Sequence, residues 1–188
     1  MKNILIVGVG GQGTLLASKI MGQVGVLANL DVKQSEVHGM AQRGGSVVTY
    51  VRIGEKVYSP LIEKGDADLI LAFEKLEGLR WAEYLKPGGT LIVNDQEISP
   101  MPVILGAAQY PDKIYEKLNQ ANIQTLKIDA LKLAESLGET RAVNVILLGV
   151  AAKLLGFPQK VWEEALQDTV PAKSLAINKK AFALGWEM

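Results

Sequence analysis

Three glycines near the beginning of the sequence have the spacing of a turn that binds phosphate groups. Gly8, Gly10 and Gly13 fit the pattern G-x-G-x-x-G. Glycines in this pattern allow a sharp bend, let a phosphate approach the backbone and bring a helix close to a strand. The alternative is that they only form the turn. We expect this turn to hold an anionic ligand, with contacts from Gly8, Gly10, Gly11, Gln12, Gly13 and Thr14.

The residues on either side of this turn predict a strand before it and a helix after it. Residues 3–7 are mostly apolar, and Leu16, Ile20 and Val24 recur at helical spacing. The helix would direct its free N–H groups and the positive end of its dipole at the turn, which favours an anion. A P-loop is excluded, because Thr14 and Leu15 stand where a lysine and a serine or threonine would hold phosphate and Mg²⁺.

A second candidate segment is the polar, glycine-rich loop 37–45. Loops that carry specific donors on a rigid scaffold are frequent sites of function, whereas the plain alternative is a flexible connector. Arg43 offers a fixed positive charge and forked donors that suit a phosphate or a carboxylate. The residues of this loop that we expect to take part in binding or in partner contact are His38, Gln42, Arg43, Gly44 and Gly45.

The rest of the chain predicts alternating strands and helices, with helices gathered at the C-terminal end. Strands are predicted at 32–37, 46–53, 68–72, 90–93 and 123–128, and helices at 74–85, 111–120, 129–137, 142–155, 159–166 and 172–184. Thr140 is the expected N-cap of the helix 142–155. Gly54-Glu55 predicts a type II′ turn into residues 56–58, which would form one antiparallel hairpin.

This pattern predicts a single α/β domain over residues 1–188. We expect a Rossmann-like, three-layer arrangement with a mostly parallel sheet, one antiparallel hairpin and C-terminal helices. Sheets of this kind bind ligands at the carboxyl ends of their strands. Glu74 and Asn94 follow two predicted strands, so they either line the same crevice as the glycine turn or act as turn and capping residues. Asn144, early in a helix, is expected to be solvated or locally bonded.

Composition excludes several classes of partner. The 188 residues are 48% hydrophobic and 21% charged, and 20 basic residues balance 20 acidic ones. This balance gives no electrostatic footprint for nucleic acid or for an anionic membrane surface. The sequence opens with a predicted core strand, and no apolar run approaches the length of a membrane span. We therefore expect a cytoplasmic protein.

The absence of cysteine limits the chemistry that this chain performs by itself. Without cysteine there are no disulfides, no clusters held by thiolates and no Cys-ligated zinc. His38 is the single histidine, which argues against a zinc site and leaves no group that can be assigned as catalytic. Redox chemistry would have to use centres held by another chain.

Several motifs of this chain resemble the gamma domain of the 2-oxoacid:ferredoxin oxidoreductases, above all its free-standing form in the indolepyruvate type. They are the glycine turn, segments 35–47 and 58–62, Glu74-x-x-Glu77-x-x-Arg80, Asn94, and Asn178 with Phe182 and Gly185. The lead-in His38-Gly39-Met40-x-Gln42 before Arg43-Gly44-Gly45 is the distinctive part. The resemblance spans nearly the whole chain.

The resemblance implies a reaction shared between chains. An arylpyruvate is decarboxylated on thiamine diphosphate, electrons pass through 4Fe-4S clusters to ferredoxin, and the acyl group leaves on coenzyme A. A large partner subunit would hold the thiamine diphosphate and the clusters, while this chain would bind no cofactor alone and would share coenzyme A as a co-substrate. We expect His38, Gln42, Glu74 and Asn94 to face that partner's active centre, and the isolated chain to form a homo-oligomer if its partner surfaces are left exposed.

Two other functions stay open from the sequence alone. The first is an independent NAD(P)-dependent oxidoreductase, supported by the glycine turn and by Glu36, which stands where an acidic residue would bind ribose hydroxyl groups. The second is a nucleotide-sensing scaffold protein without enzymatic activity.

Overall fold

A single mixed sheet organises the chain. The computed structural model describes residues 1–39 and 44–188. In these residues the sheet has six strands in the order β2-β3-β1-β4-β5-β6. The strands are β1 (Lys2–Val9), β2 (Asp31–His38), β3 (Ser46–Gly54), β4 (Ala67–Ala72), β5 (Leu85–Asn94) and β6 (Thr125–Ile128). β1, β4, β5 and β6 pair in parallel, whereas β3 lies antiparallel to both β1 and β2.

Helices cover both faces of this sheet. They are α1 (Thr14–Leu27), α2 (Lys75–Trp81), α3 (Met101–Ile104), α4 (Ile114–Gln120), α5 (Ala130–Ser136), α6 (Val143–Leu155), α7 (Gln159–Thr169) and α8 (Ala172–Trp186). Short 3₁₀ turns at Ala82–Tyr84 and Thr140–Ala142 precede β5 and α6. None of these helices is long and apolar enough to cross a membrane.

β1 shows how the two layers of helices are built. Ile4 and Ile6 face a core shared with α1, α5, α6, α7 and α8, whereas Leu5 and Val7 face a core shared with α2 and α4. All four side chains are fully buried. Because alternate residues of a strand point to opposite faces, this apolar run requires cover on both sides. The predicted three-layer α/β fold is confirmed.

The position of the predicted hairpin is wrong. Its second strand was expected at residues 56–58, but the antiparallel hairpin consists of β2 and β3. Both edges of β3 are occupied, by β1 on one side and by β2 on the other, so no edge remains for residues 56–58. Instead the N–H of Val57 donates to Asp31 Oδ2 at 2.9 Å, and the guanidinium of Arg52 donates to the carbonyl of Leu61 at 3.0 Å.

The predicted N-cap of the helix 142–155 is also wrong. Thr140 begins a 3₁₀ turn, and Ala142 precedes α6 without any side-chain cap. The carboxylate of Glu139 accepts a hydrogen bond from the N–H of Arg141 and so takes over the capping of this turn. α1 packs closely on β2 at Gly25, because a Cβ there would collide with Val32.

α6 and α8 cross at two glycines. A Cβ on Gly149 would collide with the carbonyl oxygen of Phe182, and a Cβ on Gly185 with the carbonyl oxygen of Ile146. Both obstacles are backbone atoms, which cannot move as the end of a side chain can. This crossing therefore depends on the absence of side chains at the two positions.

Replacing Gly149 with alanine should destabilise the protein. The added methyl group has no room, and overpacking of this kind costs about 3 kcal/mol. Urea unfolding followed by circular dichroism measures the change in the free energy of unfolding. Gly54→Ala is the control, because its Cβ would approach Met1 only to 3.4 Å. Equal stability of the two variants would contradict the backbone contact.

Candidate functional site

The glycine turn adopts the backbone geometry that its sequence predicts. Gly13 immediately precedes α1 and has a φ of 85°, and Gly11 has a φ of 103°. Side-chain-bearing residues rarely adopt such angles, which explains these two glycines. Gly8 is explained by proximity, because a Cβ there would lie 2.8 Å from Gln12 Oε1 and 2.9 Å from Phe73 Cβ.

The side chain of Gln12 holds the glycine turn in place by hydrogen bonds to backbone atoms. Its Oε1 accepts a hydrogen bond from the N–H of Val9 at 2.8 Å, and its Nε2 donates to the carbonyl of Phe73 at 2.9 Å. Phe73 follows β4 and donates its own N–H to the carbonyl of Val7. The side chain thus ties the turn to the end of β4. Both ends of its amide bind the backbone, and a contact of Gln12 with a ligand stays a prediction.

Glu74 and Asn94 do not line the crevice. Asn94 donates from Nδ2 to the carbonyl of Phe73 and accepts at Oδ1 from the N–H of Ala130. Glu74 caps α2 by accepting from the N–H of Glu77, and it also accepts from the hydroxyl of Tyr110. Both side chains are 1% exposed. The structure assigns them the bracing and capping roles because buried polar groups need internal partners.

A crevice of about 430 Å³ opens beside the turn. The N–H of Gly10 donates to the carbonyl of Gly45 at 2.9 Å, so the turn meets the residues that enter β3. We call this space the glycine crevice. It is lined by Gly10, Gly11, Gly13, Thr14, Leu15, Glu36, His38 and Val47.

The glycine crevice contains both a positive helix N-terminus and a negative carboxylate. The N-terminus of α1, which has no side-chain cap, contributes unpaired N–H groups and the positive end of its dipole. Glu36 contributes a carboxylate, whose Oε2 accepts from Thr49 Oγ1 at 3.1 Å. His38 Nδ1 lies 3.1 Å from the carbonyl of Gly39, which a ring protonated on Nδ1 satisfies. The crevice is thus suited to a ligand with both an anionic group and hydroxyl groups.

Asn144 lies beside the glycine turn, a position that the sequence analysis did not predict. It lies in the first turn of α6, is 7% exposed and donates from Nδ2 towards the carbonyl of Gly13 at 3.4 Å. A Cβ on Gly13 would lie 2.5 Å from that nitrogen. Asn144 also lines a neighbouring cavity of about 480 Å³ between the first turns of α1, α6 and α8. The one sign in the sequence that Asn144 is not an ordinary surface residue was its position next to the apolar residues of a predicted helix.

Two expected site residues are outside the described part of the chain. Gln42 and Arg43 fall between Gly39 and Gly44, so their roles stay predictions. Gly44 is described, and its N–H donates to the carbonyl of Gly10 at 3.4 Å. Within residues 1–39 and 44–188, no group of three or more acidic or histidine side chains is arranged to hold a metal ion.

Comparison with known proteins identifies the family. The family model described as pyruvate ferredoxin/flavodoxin oxidoreductase matches residues 3–188. The chain belongs to this family. A relative within it, an indolepyruvate oxidoreductase subunit from Pyrococcus horikoshii, is 42% identical over 190 residues, which cover 97% of this chain and 93% of that protein.

Solved structures of oxidoreductases share the fold. The gamma subunit of a keto/oxoacid ferredoxin oxidoreductase from Geobacter sulfurreducens matches 100% of this chain and 97% of its own, with a TM-score of 0.74 and 26% identity. A 2-oxoglutarate:ferredoxin oxidoreductase from Magnetococcus marinus has the same fold, with a TM-score of 0.75 and 22% identity, in 30% of a longer chain. The predicted class, a subunit of a 2-oxoacid:ferredoxin oxidoreductase, is confirmed.

The contact between Gly13 and Asn144 can be tested by a double-mutant cycle. Gly13→Ala should cost about 3 kcal/mol of unfolding free energy, because it adds backbone strain and a clash with Asn144. Gly11→Ala is the matched control, since it carries the strain alone and should cost about 1 kcal/mol. Asn144→Ala should reduce the cost of Gly13→Ala but not that of Gly11→Ala. Additive effects in chemical denaturation would contradict the contact.

Asp95, directly after β5, forms a cluster with two lysines and a tyrosine. Its carboxylate lies 2.8 Å from Lys127 Nζ and 3.3 Å from Lys75 Nζ, and it accepts from the hydroxyl of Tyr115 at 2.9 Å. Burial acts to raise the pKa of Asp95, but Lys127, Tyr115 and Lys75 together hold it below its ordinary value. The pKa of Tyr115 is raised by burial and by this carboxylate.

This cluster should make stability depend on pH in the acid range. A carboxyl group with a lowered folded-state pKa stabilises above its unfolded pKa and loses that contribution as pH falls through the folded value. Asp95→Asn should therefore cost about 1 to 2 kcal/mol at pH 7, and the difference from wild type should shrink below about pH 4. Urea unfolding at several pH values measures it. Asp112→Asn, at an exposed carboxylate, should show little effect at any pH. A difference for Asp95→Asn that stays constant with pH would contradict the ion-pair origin.

Proposed function

We propose that this chain is the small subunit of an indolepyruvate:ferredoxin oxidoreductase that oxidatively decarboxylates arylpyruvates. The observation that carries the proposal is the near-full-length similarity to the indolepyruvate oxidoreductase subunit from Pyrococcus horikoshii. The small subunit would assemble with a large subunit that holds thiamine diphosphate and 4Fe-4S clusters, and would reach ferredoxin only through that complex.

The composition of the chain supports this division of labour. Clusters of the 4Fe-4S type are held by cysteine thiolates, and this chain has no cysteine. Its acidic and basic residues are balanced, so it offers no field of one sign for capturing a highly charged partner. A supporting subunit of this kind contributes a surface and a binding crevice, while the electron transfer takes place elsewhere.

The glycine crevice is the proposed site for the phosphate groups of coenzyme A. The first N–H groups of α1, at Thr14 and Leu15, have no acceptor within the helix and are available to an anion. A Cβ built on Gly11 would have no described atom within 4 Å, so the backbone there is open to a close approach. Glu36 would accept from the free 2′-hydroxyl group of the ribose. Coenzyme A is also bound in the Magnetococcus marinus enzyme, which has the same fold in 30% of its chain.

Binding of a dinucleotide is the second candidate, since Glu36 does lie in the crevice. In a dinucleotide-binding sheet the strand that carries the acidic residue lies next to the strand before the glycine turn. Here β3 is inserted between them, which moves Glu36 outward by one strand spacing of about 4.8 Å. The inserted strand favours coenzyme A over a nicotinamide dinucleotide.

Reconstitution tests the proposal. This chain and the candidate large subunit from the same genome are purified separately and without oxygen, then assayed for arylpyruvate-dependent reduction of ferredoxin in the presence of coenzyme A. Activity is expected only in the mixture. Failure of the chains to associate, or activity of the large subunit alone, would overturn the proposal. Quenching of NADH fluorescence by this chain would favour the dinucleotide candidate.

Arg43 provides a sharper prediction within this assay. Arg43→Ala should raise the KM for coenzyme A at least tenfold, because it removes a charge-assisted contact to phosphate, and should leave association with the large subunit unchanged. Lys64→Ala is the control, since Lys64 pairs with Glu83 at the amino-terminal ends of β4 and β5, away from the glycine turn. An unchanged KM in Arg43→Ala would remove Arg43 from the binding site.

A further inference from the structure

Glu77 is a buried carboxylate on the helix beside the crevice. It lies in α2 and is 3% exposed. Its Oε2 accepts from Ser46 Oγ at 2.5 Å, and its Oε1 accepts from Arg80 Nη1 at 2.6 Å. A buried charge needs such partners, and hydrogen bonds that involve a charged group are stronger than neutral ones. Glu77 is therefore held in one orientation, with one oxygen committed to β3.

Ser46 is the point at which this carboxylate reaches the crevice. It is the first residue of β3 and pairs with Val9 at the end of β1. The two residues before it, Gly44 and Gly45, exchange backbone hydrogen bonds with Gly10. The contacts thus run from Glu77 through Ser46 to the backbone that flanks the glycine turn. Gly44 and Gly45 have no side chains of their own to hold this position.

α2 gives Glu77 a rigid support. A Cβ on the next residue, Gly78, would lie 3.1 Å from Ala72 Cβ on β4 and 3.3 Å from a methyl group of Val93 on β5. Glu74 fixes the start of the same helix by capping the N–H of Glu77 at 2.9 Å. Among the described residues that line the glycine crevice, none comes from α2. The hydrogen bond to Ser46 is the contact that links Glu77 to the strand beside the crevice.

We propose that Glu77, through Ser46, is a positioning residue that sets the affinity of the glycine crevice for its anionic co-substrate. The carboxylate holds the beginning of β3, and with it Gly44 and Gly45, against the glycine turn. Arg80 neutralises the carboxylate, so that it does not repel the ligand. This inference rests on the proposed function, since the co-substrate is coenzyme A in that scheme.

Ser46 offers a clean test because its side chain is largely exposed and its replacement leaves no cavity. Ser46→Ala removes the hydroxyl and should raise the KM for coenzyme A about tenfold in the reconstituted complex, with kcat and association unchanged. Ser46→Thr keeps the hydroxyl and should stay within about twofold of wild type. Glu77→Gln replaces the charged acceptor of the Ser46 hydroxyl with a weaker, neutral one, so it should raise the KM in the same direction but by less. Glu83→Gln, just before the amino-terminal end of β5, should behave like wild type.

A second measurement uses the isolated chain and does not depend on catalysis. The N–H of Gly10 is bonded to the carbonyl of Gly45, so its hydrogen-exchange rate reports how firmly the two segments are held together. Exchange at Gly10 should be about tenfold faster in Ser46→Ala and unchanged in Ser46→Thr. Ser46→Ala should also lower the melting temperature, because it leaves one oxygen of a buried carboxylate without its partner. A purely structural bond would lower the melting temperature in the same way without moving the KM.

The outcomes separate the two proposals. An active wild-type complex in which Ser46→Ala and Glu77→Gln keep the wild-type KM would overturn the positioning role and leave the proposed function intact. An inactive wild-type complex would overturn the proposed function. In that case the exchange rate at Gly10 decides the role of Glu77, and a rate unaffected by Ser46→Ala would refute it.

Discussion

The reversed strand β3 is the constraint on which the rest of the structure depends. It occupies the place beside β1 that a parallel sheet would give to β2, and it is paired along both edges. Its beginning meets the end of β1, because the two strands run in opposite directions. The residues that enter β3 are therefore brought to the glycine turn by strand pairing alone. The crevice exists because one strand runs against its neighbours.

The polar side chains at the carboxyl ends of the strands are arranged by the need of buried polar groups for hydrogen bonds. Gln12, Glu74, Glu77 and Asn94 are the kind of residues that invite a ligand-binding interpretation, yet their hydrogen bonds go to the protein itself. Burial makes an unpaired amide or carboxylate costly, so these groups bind backbone atoms and neighbouring side chains. The glycine crevice, where we propose that coenzyme A binds, is lined instead by backbone groups of the turn, Glu36 and His38.

The elements that are determined by residues close together in the chain could be predicted from the sequence. The apolar run before Gly8 specifies β1, the glycine spacing specifies a turn, and Gly156 ends α6 in the left-handed conformation that glycine favours. Pairing between strands is not local. Gly54 and Glu55 favour a hairpin turn, but the competition of β1 and β2 for the edges of β3 decides the outcome. The roles of Ser46 and Glu77 were hidden for the same reason, since the two residues are 31 positions apart.

The glycine crossing of α6 with α8 also concerns the distant turn. Side chains at an ordinary helix interface act as soft spacers, which change rotamer when one helix shifts. At Gly149 and Gly185 the two backbones touch directly, whereas about one and a half turns earlier in α6 it is the side chain of Asn144 that contacts Gly13. At its crossing with α8, α6 therefore has no side chain between the two backbones. A movement of α8 at this point would have to displace α6 as well, and the first turn of α6 carries the asparagine that contacts the glycine turn.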